Sequence, residues 1–161
     1  MNLDELYDRY GEKMYRYLAL RLGSPEDAED VLQEAFCRLA RYSVRRALVR
    51  NPRAFAFRVL RNEANRHLAK RIRRRAEEAS DPGERDSLAS VIEGPDEARP
   101  AALARALGGL PDEQRDVIIL KVFEGFSFKE IAAVCEVPAN TAASRYRYGI
   151  EKLRSLLEGK I

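Results

Sequence analysis

Residues 126–154, FSFKEIAAVCEVPANTAASRYRYGIEKLR, constrain this chain more than any other stretch, because they fit two helices around a short turn. Ser127 followed three residues later by Glu130 forms a capping box, in which hydroxyl and carboxylate satisfy the free backbone donors that open a helix. Ile131, Ala132 and Cys135 supply an apolar face. Glu136-Val137-Pro138 interrupts it, with Val137 a core plug and Pro138 suited to the opening of the next helix rather than its interior. From about Ala139 a second helix packs Ala142, Tyr146, Ile150, Leu153 and Leu157 at helical spacing. It leaves Thr141, Ser144, Arg145, Arg147 and Tyr148 as polar and aromatic positions. A short helix, a three-residue turn and a longer helix rich in Arg and small hydroxyls match a helix-turn-helix that lays its second helix in the DNA major groove. An ordinary helical hairpin satisfies the same spacing.

Charge supplies the second constraint. The net charge of +3 conceals strong segregation. Residues 1–40 carry a net −4, whereas residues 41–75 hold 13 basic side chains against one acidic, a net +12. Residues 76–99 then fall to −6, and residues 100–161 stand at +1. A block at +12 repels itself unless an anion covers it, so a polyanionic partner is expected.

Upstream, Leu3, Leu6, Tyr7, Tyr10, Met14, Tyr17, Leu18 and Leu22 recur at three and four, the signature of an amphipathic helix closed by Gly23. Ser24-Pro25-Glu26-Asp27 opens a second helix with a cap, a first-turn Pro and early carboxylates. Its apolar face is Ala28, Val31, Leu32, Ala35, Phe36 and Leu39; opposite lie Asp27, Asp30, Gln33, Glu34 and Arg38. That stripe is either a solvated surface or a dock for a basic protein. Residues 43–50 form an exposed basic loop that includes Arg45 and Arg46. Asn51-Pro52 restarts a helix with a seam of Phe55, Val59, Leu60, Ala64, Leu68 and Ile72, ringed by Arg53, Arg58, Arg61, Arg66, Lys70, Arg71 and Arg73 to Arg75. At ~1.5 Å per residue, 52–75 makes a rod of roughly 36 Å, long enough to track several phosphates. Phe55 and Phe57 interleaved with Arg also suit stacking on single-stranded bases, one of the two serving as core.

Residues 76–100 turn acidic and rich in Ser, Gly and Pro, as a flexible linker does. Beyond them, 101–107 suggests a short helix ended by Gly108-Gly109. Leu110-Pro111-Asp112 begins another, with Val117, Ile118, Leu120, Val122 and Phe123 inward and Gly125 as its stop. The expected fold is therefore all-α: two small helical domains, 1–75 and 101–161, joined by a flexible acidic linker at 76–100.

Several functions are excluded by what is missing from the composition. One histidine, His67, and two separated cysteines, Cys37 and Cys135, leave too few parts for a zinc site or a catalytic triad, and no phosphate loop is present. Both cysteines fall on the apolar side of their helices, as unpaired cysteines usually do. No apolar run approaches bilayer length and the start, MNLDELYDRY, lacks a signal peptide's pattern, so a cytoplasmic protein without membrane insertion, enzyme activity or cofactor is expected.

The stretches LYDRYGEKMYRYL, SPEDAEDVLQEAFCRL and NPRAFAFRVLRNEANRHL resemble region 2 of bacterial sigma factors of the extracytoplasmic-function (ECF) group in the sigma-70 family. ALGGLPDEQRDVIILKVFEGFSFKEIAAVCEVPANTAASRYRYGIEKLR resembles their region 4. The resemblance implies a non-enzymatic subunit that binds core RNA polymerase, at its clamp helices and flap, and directs recognition of the −10 and −35 promoter elements. It implies that Asp27, Asp30, Gln33, Glu34 and Arg38 dock on polymerase. Arg45 and Arg46 in the loop would help hold a flipped −10 base, with Phe55, Arg58, Arg61, Asn62 and Arg66 along the strand. Ser144, Arg147 and Tyr148 would face −35 bases, and Lys129, Thr141 and Arg145 phosphates. An anti-sigma factor is a further implied partner.

The chain departs from the family pattern at Ala143 and Tyr148, where a basic residue is common, and at Asn140 and Glu136, where Gly is. Arg66 replaces a frequent acid and Phe55 a common Trp. Glu136 should strain its turn if that position needs positive φ. The competing reading is a stand-alone helix-turn-helix regulator that never joins polymerase.

Overall fold

The computed structural model describes residues 2–42, 50–78 and 98–158, and helices make up all of their regular structure. In chain order these are α1 (Leu3–Leu22), α2 (Pro25–Arg41), α3 (Pro52–Glu78), α4 (Ala98–Gly108), α5 (Asp112–Ile118), α6 (Phe128–Cys135) and α7 (Ala139–Glu158). A five-residue π-helical segment, Ile119–Phe123, continues α5. Most of the helix ends follow from local chemistry. Asn2 and Glu5 form a capping box on α1, and Gly23 closes that helix in the left-handed region at φ 75°, its N–H donating to the Ala19 carbonyl at 2.9 Å. The Ser24 hydroxyl accepts from the Asp27 N–H, and the Asn51 side chain accepts from the Ala54 N–H with Pro52 opening α3. Helix α3 runs three residues past the expected boundary, to Glu78. The remaining linker residues, 79–97, and loop residues 43–49, with Arg45 and Arg46, lie outside the described residues.

Helices α1 to α3 form one three-helix unit and α4 to α7 a second, and the two pack on each other. One hydrophobic core runs through both. Its bridge is an aromatic chain: the Tyr17 ring meets Phe57 edge-on at 5.6 Å, and Phe57 meets Phe126 edge-on at 5.1 Å. Phe57 is therefore the core phenylalanine, 1% exposed, while Phe55 is only half-buried. Packing between the units explains why α1 is buried all round at its end, where every residue from Tyr17 to Leu22 is buried.

Four expected inward positions are not inward. Tyr7 is 59% exposed, Ile72 67% and Val122 55%, and Cys37 is exposed rather than part of an apolar face. Ile72 lies on the part of α3 that extends beyond its neighbours. Val122 lies in the π-helical segment, whose wider turn shifts the 3.6-residue register assumed for a regular helix.

The turn between α6 and α7 carries the strain expected of it. Glu136 adopts φ 56° and ψ 45°, the sole non-glycine at positive φ among the described residues. The next N–H, of Val137, donates back to the Ala132 carbonyl at 3.1 Å, as in a Schellman closure. An L-residue pays about 1–2 kcal/mol for this conformation. Part of that is offset in Gly by the greater freedom of the unfolded chain, so Glu136→Gly should stabilise the protein by about 0.5–1 kcal/mol. A rise in thermal midpoint with unchanged helicity checks this.

Candidate nucleic-acid interface

The second unit contains the helix-turn-helix. Ser127 Oγ accepts from the Glu130 N–H at 3.1 Å, and Glu130 Oε1 accepts from the Ser127 N–H at 3.2 Å, so the predicted capping box is complete. Phe128 packs edge-on against Tyr146 at 5.5 Å, tying α6 to α7. Gly149 lets α7 press on α5: a Cβ there would lie 2.7 Å from Ile118 Cδ1. With that buttress, α7 presents Arg147 and Tyr148 to solvent, the guanidinium 5.3 Å from the ring centroid. Lys129 is exposed on α6. Thr141 and Ser144 line an open cleft with Asn140, Gln114 and Pro111. Arg145 turns toward α5, 3.6 Å from Glu113, so one of the residues assigned to phosphate is already paired within the protein.

The first unit sorts its charged residues in the same way. Asp30, Gln33 and Glu34 stand exposed on α2. Asp27 instead reaches α3, 3.3 Å from His67 Nε2 and 3.5 Å from Arg71. Arg38 pairs with Glu63, the single acid of the basic block, which also takes Arg66 at 2.9 Å. The outward acidic edge is thus narrower than the stripe read from the sequence, because its two ends are used to bind α2 to α3. Arg66 is exposed, Asn62 half-buried, and Phe55 lies 5.5 Å under the Arg58 guanidinium and edge-on to Tyr42.

The rest of the α3 face meets the second unit. Arg61 Nε donates to Asp116 Oδ2 at 2.6 Å, and Tyr17 donates to Asp116 Oδ1 at 2.5 Å. Arg21 Nε stands 3.8 Å from the same carboxylate, and Cys135 Sγ donates to it at 3.7 Å. Arg53 and Asn51 both donate to Glu130 Oε2 at 3.1 Å, and the Arg53 guanidinium lies 4.1 Å above the Phe126 ring. Arg16 donates to Glu124 and to the Phe123 carbonyl. Sequence reasoning missed Asp116, whose signal is faint: a carboxylate beside Val117 and Ile118 on the inward side of α5, matched by Arg21 among the leucines of α1.

Burial acts on these groups in different directions. It pushes the Cys135 thiol up to about 12, with Asp116 adding to the rise, and it raises Tyr17 well above the ordinary phenol value for the same two reasons. Burial pulls Arg61 down, but Asp116 and its neighbours more than reverse this, so the guanidinium stays charged. For Glu130 desolvation is outweighed by hydrogen bonds from Ser127, Asn51 and Arg53, which hold it below the usual carboxylate range. Cys135 and Tyr17 keep their protons in the folded state at pH values where the unfolded chain releases them. Their contribution to stability is whole below the ordinary thiol value of 9.0 and declines as pH rises toward 12. Denaturant midpoints should therefore fall progressively above about pH 9.

Fold and exposed residues together define an all-α helix-turn-helix protein with a basic long helix. Residues 6–76 match the family model Sigma-70 region 2, and residues 101–153 match Sigma-70, region 4. The chain is 34% identical over 160 residues to the ECF RNA polymerase sigma factor SigE of Mycolicibacterium smegmatis, covering 96% of this chain and 61% of that protein. It is 31% identical over 157 residues to the RNA polymerase sigma-H factor of Pseudomonas aeruginosa, covering 88% and 79%. Its fold is similar to the sigma factor RpoE in complex with the anti-sigma factor NepR from Bartonella quintana, with a TM-score of 0.74 and 23% identity over 91% of this chain and 90% of that one. It also resembles CnrH in complex with the cytosolic domain of CnrY, with a TM-score of 0.71 and 26% identity over 99% and 89%. The chain belongs to the sigma-70 family of RNA polymerase sigma factors, in the ECF group, a family of initiation factors rather than enzymes. No helix among the described residues is long and apolar enough to cross a membrane.

Proposed function

We propose that this chain binds core RNA polymerase in the cytoplasm, reads the −10 element with residues 1–75 and the −35 element with residues 101–161, and directs transcription initiation. The observation that carries the reading is the pairing of two surfaces on one chain: the outward α7 side chains Arg147 and Tyr148, and the separate outward acidic edge Asp30, Gln33 and Glu34 on α2. A DNA-binding regulator requires only the first. In this assignment Ser144, Arg147 and Tyr148 face bases, and Lys129 and Thr141 phosphates. Arg145 joins them by exchanging Glu113 for a phosphate oxygen, a charge-assisted bond of similar kind. Arg45, Arg46, Phe55, Arg58, Arg61, Asn62 and Arg66 serve the opened −10 strand, and residues 76–100 link the two readers. Asp27 and Arg38 support the acidic edge through their bonds to α3 instead of meeting polymerase themselves. An anti-sigma factor is the expected regulator, since the RpoE and CnrH structures hold partners of that kind or a cytosolic partner domain.

Run-off transcription with core polymerase lacking any other sigma tests the reading. Initiation from a cognate promoter supports it, and absence of initiation from every candidate promoter rejects it in favour of a regulator. Arg147→Ala should weaken specific −35 duplex binding by about 1–3 kcal/mol, the value of one bidentate base contact. An equal loss on random duplex would reassign Arg147 to phosphate.

A further inference from the structure

We propose that Tyr42, the residue that closes α2, is a base-stacking residue of the −10 strand site: its ring offers a face to an unpaired base, and Phe55 of α3 is the prop that holds it. The inference rests on the −10 reading of α3 proposed above and adds to it a residue from a different helix.

Tyr42 is 41% exposed, one of the few large hydrophobic side chains left open to solvent among the described residues. Its backbone is fixed, because the Tyr42 N–H donates to the Leu39 carbonyl at 3.1 Å and caps α2. Its ring is fixed as well, meeting the Phe55 ring at 5.8 Å with the two planes 89° apart. A perpendicular contact joins the edge of one ring to the face of the other, so it uses no more than one face of Tyr42. At least one face remains, on a side chain open to solvent. Phe55 is placed differently: it is half-buried, with the Arg58 guanidinium 5.5 Å from its centroid as well as Tyr42 against it. Of the two rings, Tyr42 has a face to give to a ligand and Phe55 positions it.

The kind of ligand follows from what adjoins the ring. Phe55, Arg58, Asn62 and Arg66 recur at three and four along α3 and form one stripe of roughly 16 Å, with Tyr42 at its head. A flat ring beside a row of guanidinium groups matches a nucleotide chain, since the ring suits the π-face of a base and the arginines suit its phosphates. Bases inside a duplex already stack on their neighbours, so Tyr42 serves a single strand and leaves duplex binding unchanged. Every base has a π-face, and the contact therefore tolerates different sequences. A tyrosine has only two side-chain torsions, and one already held by Phe55 loses little freedom on binding.

The chain contains no tryptophan, so Tyr42→Trp in the full-length protein places a single indole at the proposed contact. Its emission should be quenched as an unlabelled single-stranded dT oligonucleotide is titrated in at low salt. Tyr42→Leu, which keeps apolar bulk without a π-face, should bind the same strand about five- to a hundredfold more weakly, and Tyr42→Phe should bind it like the parent. Duplex affinity and the thermal midpoint should stay unchanged in all three variants. Strand binding undiminished in Tyr42→Leu, or Tyr42→Trp emission unchanged at saturation, overturns the inference and leaves the −10 reading standing. An equal loss on duplex also overturns it, because Tyr42 would then act through the fold of the basic face. Failure of the parent to bind any single strand rejects the −10 reading itself and the role of Tyr42 with it.

Discussion

Phe57→Ala should cost about 3–5 kcal/mol, a large fraction of the 5–15 kcal/mol that holds a typical domain folded. The Phe57 side chain is 1% exposed and sits between Tyr17 of α1 and Phe126 at the entry to α6, so truncation leaves a cavity where the two units meet. The loss includes two edge-on aromatic contacts as well as the buried area. Phe55→Ala provides the contrast. Phe55 is half-buried and touches Tyr42 and Arg58, so its truncation should leave stability nearly intact and weaken single-strand binding. Urea melts of both variants, with fluorescence anisotropy on a single-stranded oligonucleotide, separate these roles. Equal destabilisation by the two would remove the distinction.

Asp30→Arg combined with Glu34→Arg should abolish association with core polymerase while the fold persists. Both side chains are exposed on α2, separated by one helical turn, and neither makes a described ion pair. Reversal of two charges on a docking edge replaces attraction by repulsion, which at a steered interface lowers the rate of encounter as well as the lifetime. Asp27 would be a poor choice for the same test, because its bonds to His67 and Arg71 mean that loss of polymerase binding could come from loosened α2–α3 packing. Co-purification with core, together with a thermal melt, checks the double variant. Unchanged co-purification would remove the docking assignment.

Residues whose roles depend on near neighbours in the chain were legible without coordinates. The capping box of Ser127 and Glu130, the Asn51-Pro52 start of α3, the Ser24 cap, the Gly23 stop and the strained Glu136 all obey rules that act over three or four residues. The recognition helix was legible too, since its inward and outward sides follow from helical spacing. The π-helical turn at Ile119–Phe123 was not, because nothing in the local composition distinguishes it from a regular helix, and it moved Val122 outward.

The sequence by itself determined that the chain is helical, which family it resembles, and that Asp30, Gln33 and Glu34 of α2 and Arg147 and Tyr148 of α7 point outward, though not that Asp27, Arg38 and Arg145 turn to partners within the protein. Only the tertiary structure decided that Asp116 would be enclosed by Tyr17, Arg21 and Arg61, that Phe57 and not Phe55 would be core, and that part of the basic block would meet carboxylates of its own chain. The reason is range. Capping and periodicity are written into consecutive residues, whereas the partner of a buried charge is chosen by packing across 55 to 108 residues of sequence, and neither residue alone carries a mark of the other.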